Sequence, residues 1–157
     1  MTIQNLIIGI DPDIKKSGFA VLDGADLSLP NLNFVEVINY FIANKDNIKK
    51  IVLEAGWLNE KSNFRAFIPK KEMAEKIAKD VGKNHQTGIL MKEYAESLGI
   101  QVVEVKPTSK KKNADEFKRL SGYTGRTNPE TRDAAMLILG IRQSYINRNT
   151  PYSYKPT

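Results

Sequence analysis

The sequence contains no cysteine, and that absence removes disulfides, thiolate metal sites and a cysteine nucleophile together. No apolar run approaches the ~20 residues that a membrane span requires. No glycine-rich phosphate loop is present, which counts against a nucleotide-dependent ATPase. The first residues lack the basic segment and cleavage site of a secretory leader, so the expected setting is cytoplasmic. There is no internal repeat and no low-complexity linker. With 157 residues the chain is long enough for one ordinary domain and too short for two. We expect that domain to occupy 1–146, followed by a loose Pro/Tyr/Ser/Lys-rich tail over 147–157.

What is present is charge, unevenly distributed. The net charge of +6 favours a polyanionic partner such as nucleic acid, though many basic proteins only stay soluble this way. Between positions 106 and 132 stand eight Lys/Arg (106, 110, 111, 112, 118, 119, 126 and 132) against three acids (115, 116 and 130).

Hydrophobic patterning predicts an α/β mixed sheet. Asn5-Leu-Ile-Ile-Gly-Ile-Asp11 reads as a short buried strand, and a polar turn leads into Gly18-Phe-Ala-Val-Leu-Asp23, its hairpin partner. A third short strand is expected over 26–29, an amphipathic helix over 33–43, and a buried strand at Ile51-Val-Leu-Glu54. A helical stretch opening at Pro69 is expected to break near Gly82 and resume from 83 to 98. A strand over 101–105 and a basic helix over 109–120 follow. Asn128 reads as the N-cap of a last helix, with Pro129 at its first position. A meander of strands followed by alternating helices and strands makes an antiparallel start and a parallel continuation, covered by helices.

Four acids fall at informative places. Asp11 and Glu54 each finish an apolar strand, and in sheets of this class chemistry collects at the carboxyl ends of strands. Glu130 and Asp133 are three apart in the first turn of a helix, hence on one face. Each has a plainer explanation. Asp11 precedes a proline and can simply start a turn, while Glu130 and Asp133 can simply answer the helix dipole. Glu54 is harder to dismiss, since an acid ending Ile-Val-Leu is costly to bury uncompensated. Carboxylates gathered at one sheet edge repel and invite a hard divalent cation such as Mg²⁺. Two such ions about 4 Å apart suit phosphodiester cleavage.

These residues also resemble a known family. Ile7-Ile-Gly-Ile-Asp11-Pro-Asp-Ile-Lys-Lys-Ser-Gly18-Phe-Ala-Val is similar to the opening hairpin of RuvC-type Holliday-junction resolvases. Ile51-Val-Leu-Glu54 resembles their second acidic strand, and Glu130-Thr-Arg-Asp133-Ala-Ala-Met-Leu their C-terminal acidic helix. Val105-Lys-Pro-Thr-Ser-Lys-Lys-Lys resembles the family's strand followed by Pro-Thr and lysines. The likeness runs over residues 5–140 in order. It departs from the family at Glu130, where Asp is usual, at Asp13, where a small residue is usual, and over 55–67. Those departures point toward divergent relatives carried by phages or mobile elements.

The resemblance implies an RNase H-like fold and a metal-dependent endonuclease for four-way or branched DNA, working as a homodimer. Asp11, Glu54, Glu130 and Asp133 would be the catalytic ligands of two Mg²⁺ ions, with Mn²⁺ an alternative. Lys106, Lys110, Lys111, Lys112 and Lys118 are expected to contact DNA phosphates, although a lysine run is often only a solvated cluster. Trp57 stands where resolvases carry an aromatic that wedges into the junction, and Phe64 or Phe67 can take that role instead. Trp57 can equally be a core or lid residue. His85 is expected to be structural rather than a proton carrier, and Asp13, Asp23 and Asp26 to sit in surface turns. Two other readings stay open: a YqgF-like ribonuclease of RNA maturation, and a nucleic-acid-binding module without catalysis.

Overall fold

Which way each residue of the first strand points decides what lies on either side of the sheet. The structure is a computed structural model, describing residues 3–59 and 71–149, with side chains as far as 140. In chain order the elements are β1 (Leu6–Asp11), β2 (Ser17–Asp23), β3 (Asp26–Ser28), β4 (Asn31–Leu32), α1 (Phe34–Asn44), β5 (Ile48–Glu54), a 3-10 turn (Gly56–Leu58), α2 (Lys71–Ser97), β6 (Val102–Val105), α3 (Ala114–Ser121) and α4 (Pro129–Asn149). The sheet order is β3-β2-β1-β5-β6, with β4 also on β2. β1, β2 and β3 are antiparallel, whereas β5 and β6 continue parallel to β1. This is the mixed, helix-flanked sheet, antiparallel first and parallel after, that the sequence led us to expect.

Successive side chains of a strand face opposite sides. Ile8 and Ile10 join Phe19, Val21, Ile51 and Leu53 in a core under α1 and α2, where Val37, Phe41, Met91 and Ala95 close over them. Ala20, Leu22 and Val52 face the other way, against Ala134, Ala135, Ile138 and Leu139 of α4 and Phe117 of α3. β1 pairs Gly9 with Ala20 and with Val52, and Asp11 with Gly18. Asp11 and Glu54, each two residues beyond a member of that trio, therefore end their strands on the α4 side.

The helices begin where capping chemistry allows. Asn33 accepts from the Glu36 amide at 2.9 Å while the Glu36 side chain accepts from the Asn33 amide at 3.0 Å, a reciprocal capping box. Asn128 caps α4 by accepting from the Thr131 amide at 2.8 Å, with Pro129 at the first position as expected.

Three expectations are corrected. α2 runs through Gly82 without a break; an exposed interior glycine costs about 1 kcal/mol, too little to end a helix held by packing further along. The helix expected from 109 starts only at Ala114, because Asn113 caps it by accepting from the Glu116 amide at 2.9 Å. Lys110–Lys112 therefore lie in an irregular segment. β5 starts at Ile48 rather than 51, since Lys49 and Lys50 disguise its first turn of pleat as polar. The opening of α2 at Pro69 lies outside the described residues, and no helix among them is long and apolar enough to cross a membrane.

Candidate metal centre

Asp11 and Glu54 end neighbouring parallel strands, so the sheet alone brings two carboxylates side by side. α4 brings the third. It can do so because β1 and β2 present glycine where the helix crosses. A Cβ on Gly9 would collide with the Ala134 carbonyl oxygen, and one on Gly18 with the Glu130 carbonyl oxygen. With no side chain at either position, the helix backbone settles onto the strands. Asp133 then offers a carboxylate oxygen within 4.8 Å of those of Asp11 and Glu54.

A cation already reaches this cluster. Lys111, from the irregular segment before α3, donates through Nζ to Asp133 Oδ2 at 2.7 Å and lies 3.6 Å from Glu54 Oε1. Arg132 holds that segment in place: its Nε donates to the Lys112 carbonyl at 3.0 Å and its Nη1 to Thr127 Oγ1 at 2.9 Å.

The electrostatics are those of crowded acids. Burial, followed by the charges of Glu54 and Asp133, pushes the Asp11 carboxyl up from 3.8 to about 8; Lys111 pulls against this and Glu130 adds a last, small push. Burial also raises Glu54, with Lys111 opposing and Asp133 assisting. Burial works to lower Lys111, and its hydrogen bond to Asp133 with the charges of Glu54, Asp133 and Asp11 outweighs it, holding the ammonium above its ordinary value.

The sign of the stability effect follows. A carboxyl whose folded pKa is raised favours the fold below its unfolded pKa, and that contribution is lost as pH climbs toward the folded value. In EDTA the wild type should therefore melt progressively lower between about pH 4 and pH 8. Asp11→Asn should lack most of that slope. Parallel melting curves for the two proteins across this range would count against the assignment of Asp11.

Half-buried carboxylates that repel one another, with hard oxygen donors and no soft ligand, suit Mg²⁺ or Mn²⁺. The residues present fit such an ion. Asp11, Glu54 and Asp133 would hold it. Glu130 is half-buried one helical turn earlier and is felt by Asp11, but stands outside the set whose oxygens converge.

The other predicted residues are placed as follows. Lys106, Lys110 and Lys118 are exposed around the segment that carries Lys111, and Lys112 is half-buried. Trp57 is fixed rather than free: its Nε1 donates to Glu104 Oε2 at 2.9 Å, and Glu104 is ion-paired to Lys92. Its ring fills the space left by Gly88 and stands edge-on to His85, with centroids 6.0 Å apart. Burial lowers the His85 imidazole. Asp13 serves the turn, accepting from the Lys15 amide at 2.8 Å, and Asn84 of α2 accepts from the Ile14 amide at 2.8 Å. Phe64 and Phe67 lie outside the described residues.

A cleft of about 150 Å³ opens beside the acids, lined by Asp11, Glu54, Trp57, Asn84, His85 and Pro107. A larger hollow of about 570 Å³ lies at the other end of the sheet, near Asn5, Asp23, Asp26 and Tyr40. We place the site at the smaller one, because Asp11 and Glu54 line it and converge with Asp133 at the strand ends.

Sequence reasoning overlooked Gly9 and Gly18 as seats for α4, Arg132 as a tether and Glu104 as the partner of Trp57. A glycine inside a strand marks a close backbone approach, and that signal was available for the first two. Arg132 and Glu104 act across 20 and 47 residues of sequence, where no local pattern reports them.

No family model matches the chain, and no curated protein matches it. Among solved structures it is similar to that of T. thermophilus RuvC in complex with Holliday junction substrate. The TM-score is 0.49 at 15% identity, over 91% of this chain and 94% of the other.

Proposed function

We propose that the chain is a divalent-metal-dependent endonuclease that resolves four-way or other branched DNA by hydrolysing phosphodiesters. The observation that carries this reading is the convergence of Asp11, Glu54 and Asp133 at the carboxyl ends of β1 and β5. The sequence likeness to RuvC-type resolvases selects the substrate. When bound, Mg²⁺ or Mn²⁺ would supply an activated water and stabilise the leaving oxygen. In this reading Asp11, Glu54 and Asp133 are the ligands, and Glu130 completes the set for a second ion. A homodimer would provide two sites for symmetric cutting. Trp57, stiffened by Glu104, or one of Phe64 and Phe67, would meet the junction's unstacked bases.

Purified protein should nick synthetic four-way junctions with Mg²⁺ or Mn²⁺ and stop in EDTA. Equal cutting of linear duplex would remove the junction selectivity, and cutting of RNA alone would transfer the reading to a ribonuclease. A non-catalytic binding module is supported by one observation, the ammonium of Lys111 already neutralising the acids. Failure to cut any nucleic acid with any divalent ion would favour it.

Lys110 and Lys112 belong to the DNA-binding surface in this reading. Replacing both by Ala should weaken binding to all DNA sequences alike. It should also reduce the slope of log affinity against log salt by about 0.9 for each phosphate that is no longer neutralised. An unchanged slope would mean that both face only water.

A further inference from the structure

We propose that Lys111 is the resident counter-cation of the acidic cluster in the DNA-free protein, and that metal loads fully only as its ammonium leaves. The inference rests on the nuclease reading above and concerns what governs that same site.

The ammonium does not lie beside the carboxylates; it lies among them. Nζ is 2.7 Å from Asp133 Oδ2 and 3.6 Å from Glu54 Oε1, two of the three groups that would ligate an ion. A divalent ion and an ammonium at those carboxylates oppose each other, because the two cations repel and compete for the same negative charge. Binding of one opposes binding of the other.

The side chain is also built to move. It is 50% exposed, while Asp133 and Glu54 are 16% and 11% exposed, so its charge reaches water by rotation of its own stem. Its backbone stays put, since Arg132 binds the next residue's carbonyl. Lysine is a flexible stem with a compact charge and suits such an exchange better than arginine's planar fork. Once released it stands on a strip with Lys110 and Lys112, where a DNA phosphate is an equivalent anionic partner. DNA thereby draws the ammonium away, the acids become free for metal, and by reciprocity metal favours DNA. The device holds the site closed to ions until a phosphate backbone arrives.

The test is Mn²⁺ binding by calorimetry on the full chain without DNA, at pH 8.5, for wild type, Lys111→Met, Lys111→Gln and Lys111→Arg. Lys111→Gln keeps a hydrogen-bond donor for Asp133, which guards against loss of the fold. Removing the charge should tighten Mn²⁺ at least tenfold in the Met and Gln proteins, while Arg stays near wild type. In EDTA the Met and Gln proteins should melt below wild type, and saturating Mn²⁺ should raise their melting temperatures by more than it raises that of wild type. Equal or weaker Mn²⁺ binding after removal of the charge overturns the proposal. If that occurs while wild type still cuts junctions, the nuclease reading survives alone. If no protein binds Mn²⁺ and none cuts, both fall.

Discussion

Asp11→Asn protein should bind four-way junctions and fail to cut them. The amide removes one charge from the group that burial and two neighbouring acids press hardest, and with it the strongest reason for a divalent ion to settle there. Removal of a single electrostatic element of a site costs about 10²–10³-fold in rate, and loss of a shared ligand should exceed that. DNA binding should hold or tighten, since one negative charge no longer faces the phosphates. Glu54→Gln and Asp133→Asn should behave alike. Glu130→Gln separates two roles. As a ligand it should lose cleavage by orders of magnitude with little change in melting. As an acid answering the helix dipole it should keep cleavage and lose roughly 0.3–1 kcal/mol of stability. Gel assays of cutting and binding, beside melting curves, read all four variants. Undiminished cutting by Asp11→Asn would remove Asp11, and this centre with it, from the cleavage.

The second large effect belongs to a residue without a side chain. Gly18→Val should destabilise the protein by about 3 kcal/mol, at the upper end of overpacking costs, and lower its melting temperature by about 10 °C. The cause is that the added carbons meet backbone, the Glu130 carbonyl, which cannot rotate aside. Helix and strand must separate, and Asp133 moves off with the helix. Cleavage should therefore fall further than the loss of folded protein explains. Gly24→Ala is the control: Gly24 has nothing near it, although its φ of 60° makes any side chain mildly strained. If Gly18→Val melts like wild type, the close seating of α4 is wrong.

The contrast between these two residues explains what the sequence made legible. Asp11 and Glu54 stood out because each closes an apolar strand, and Glu54 the more so because an acid ending Ile-Val-Leu is costly to bury uncompensated. The change from antiparallel to parallel pairing followed from a meander giving way to alternating helices, and Asn128-Pro129 marked the start of α4 through its own cap. Each of those signals is local. The segment 109–113 was misread as helix because three lysines are helix-tolerant one by one. Only the folded chain reveals that Asn113 caps later and that Lys111 turns toward acids 22 and 57 residues away, Asp133 and Glu54. Trp57 shows the same limit, since its partner Glu104 lies on the neighbouring edge strand β6, 47 residues away in sequence.

Asp133 and Arg132 are successive residues of one helix, yet one supplies an acid to the cluster and the other grips the segment that supplies the ammonium. The two opposing charges thus ride on a single mount. A shift of α4 against the sheet would carry Asp133 and the tethered lysine segment together, while Glu54 would stay with β5. The helix thus acts as a common bracket for one acid and for the segment whose ammonium answers it.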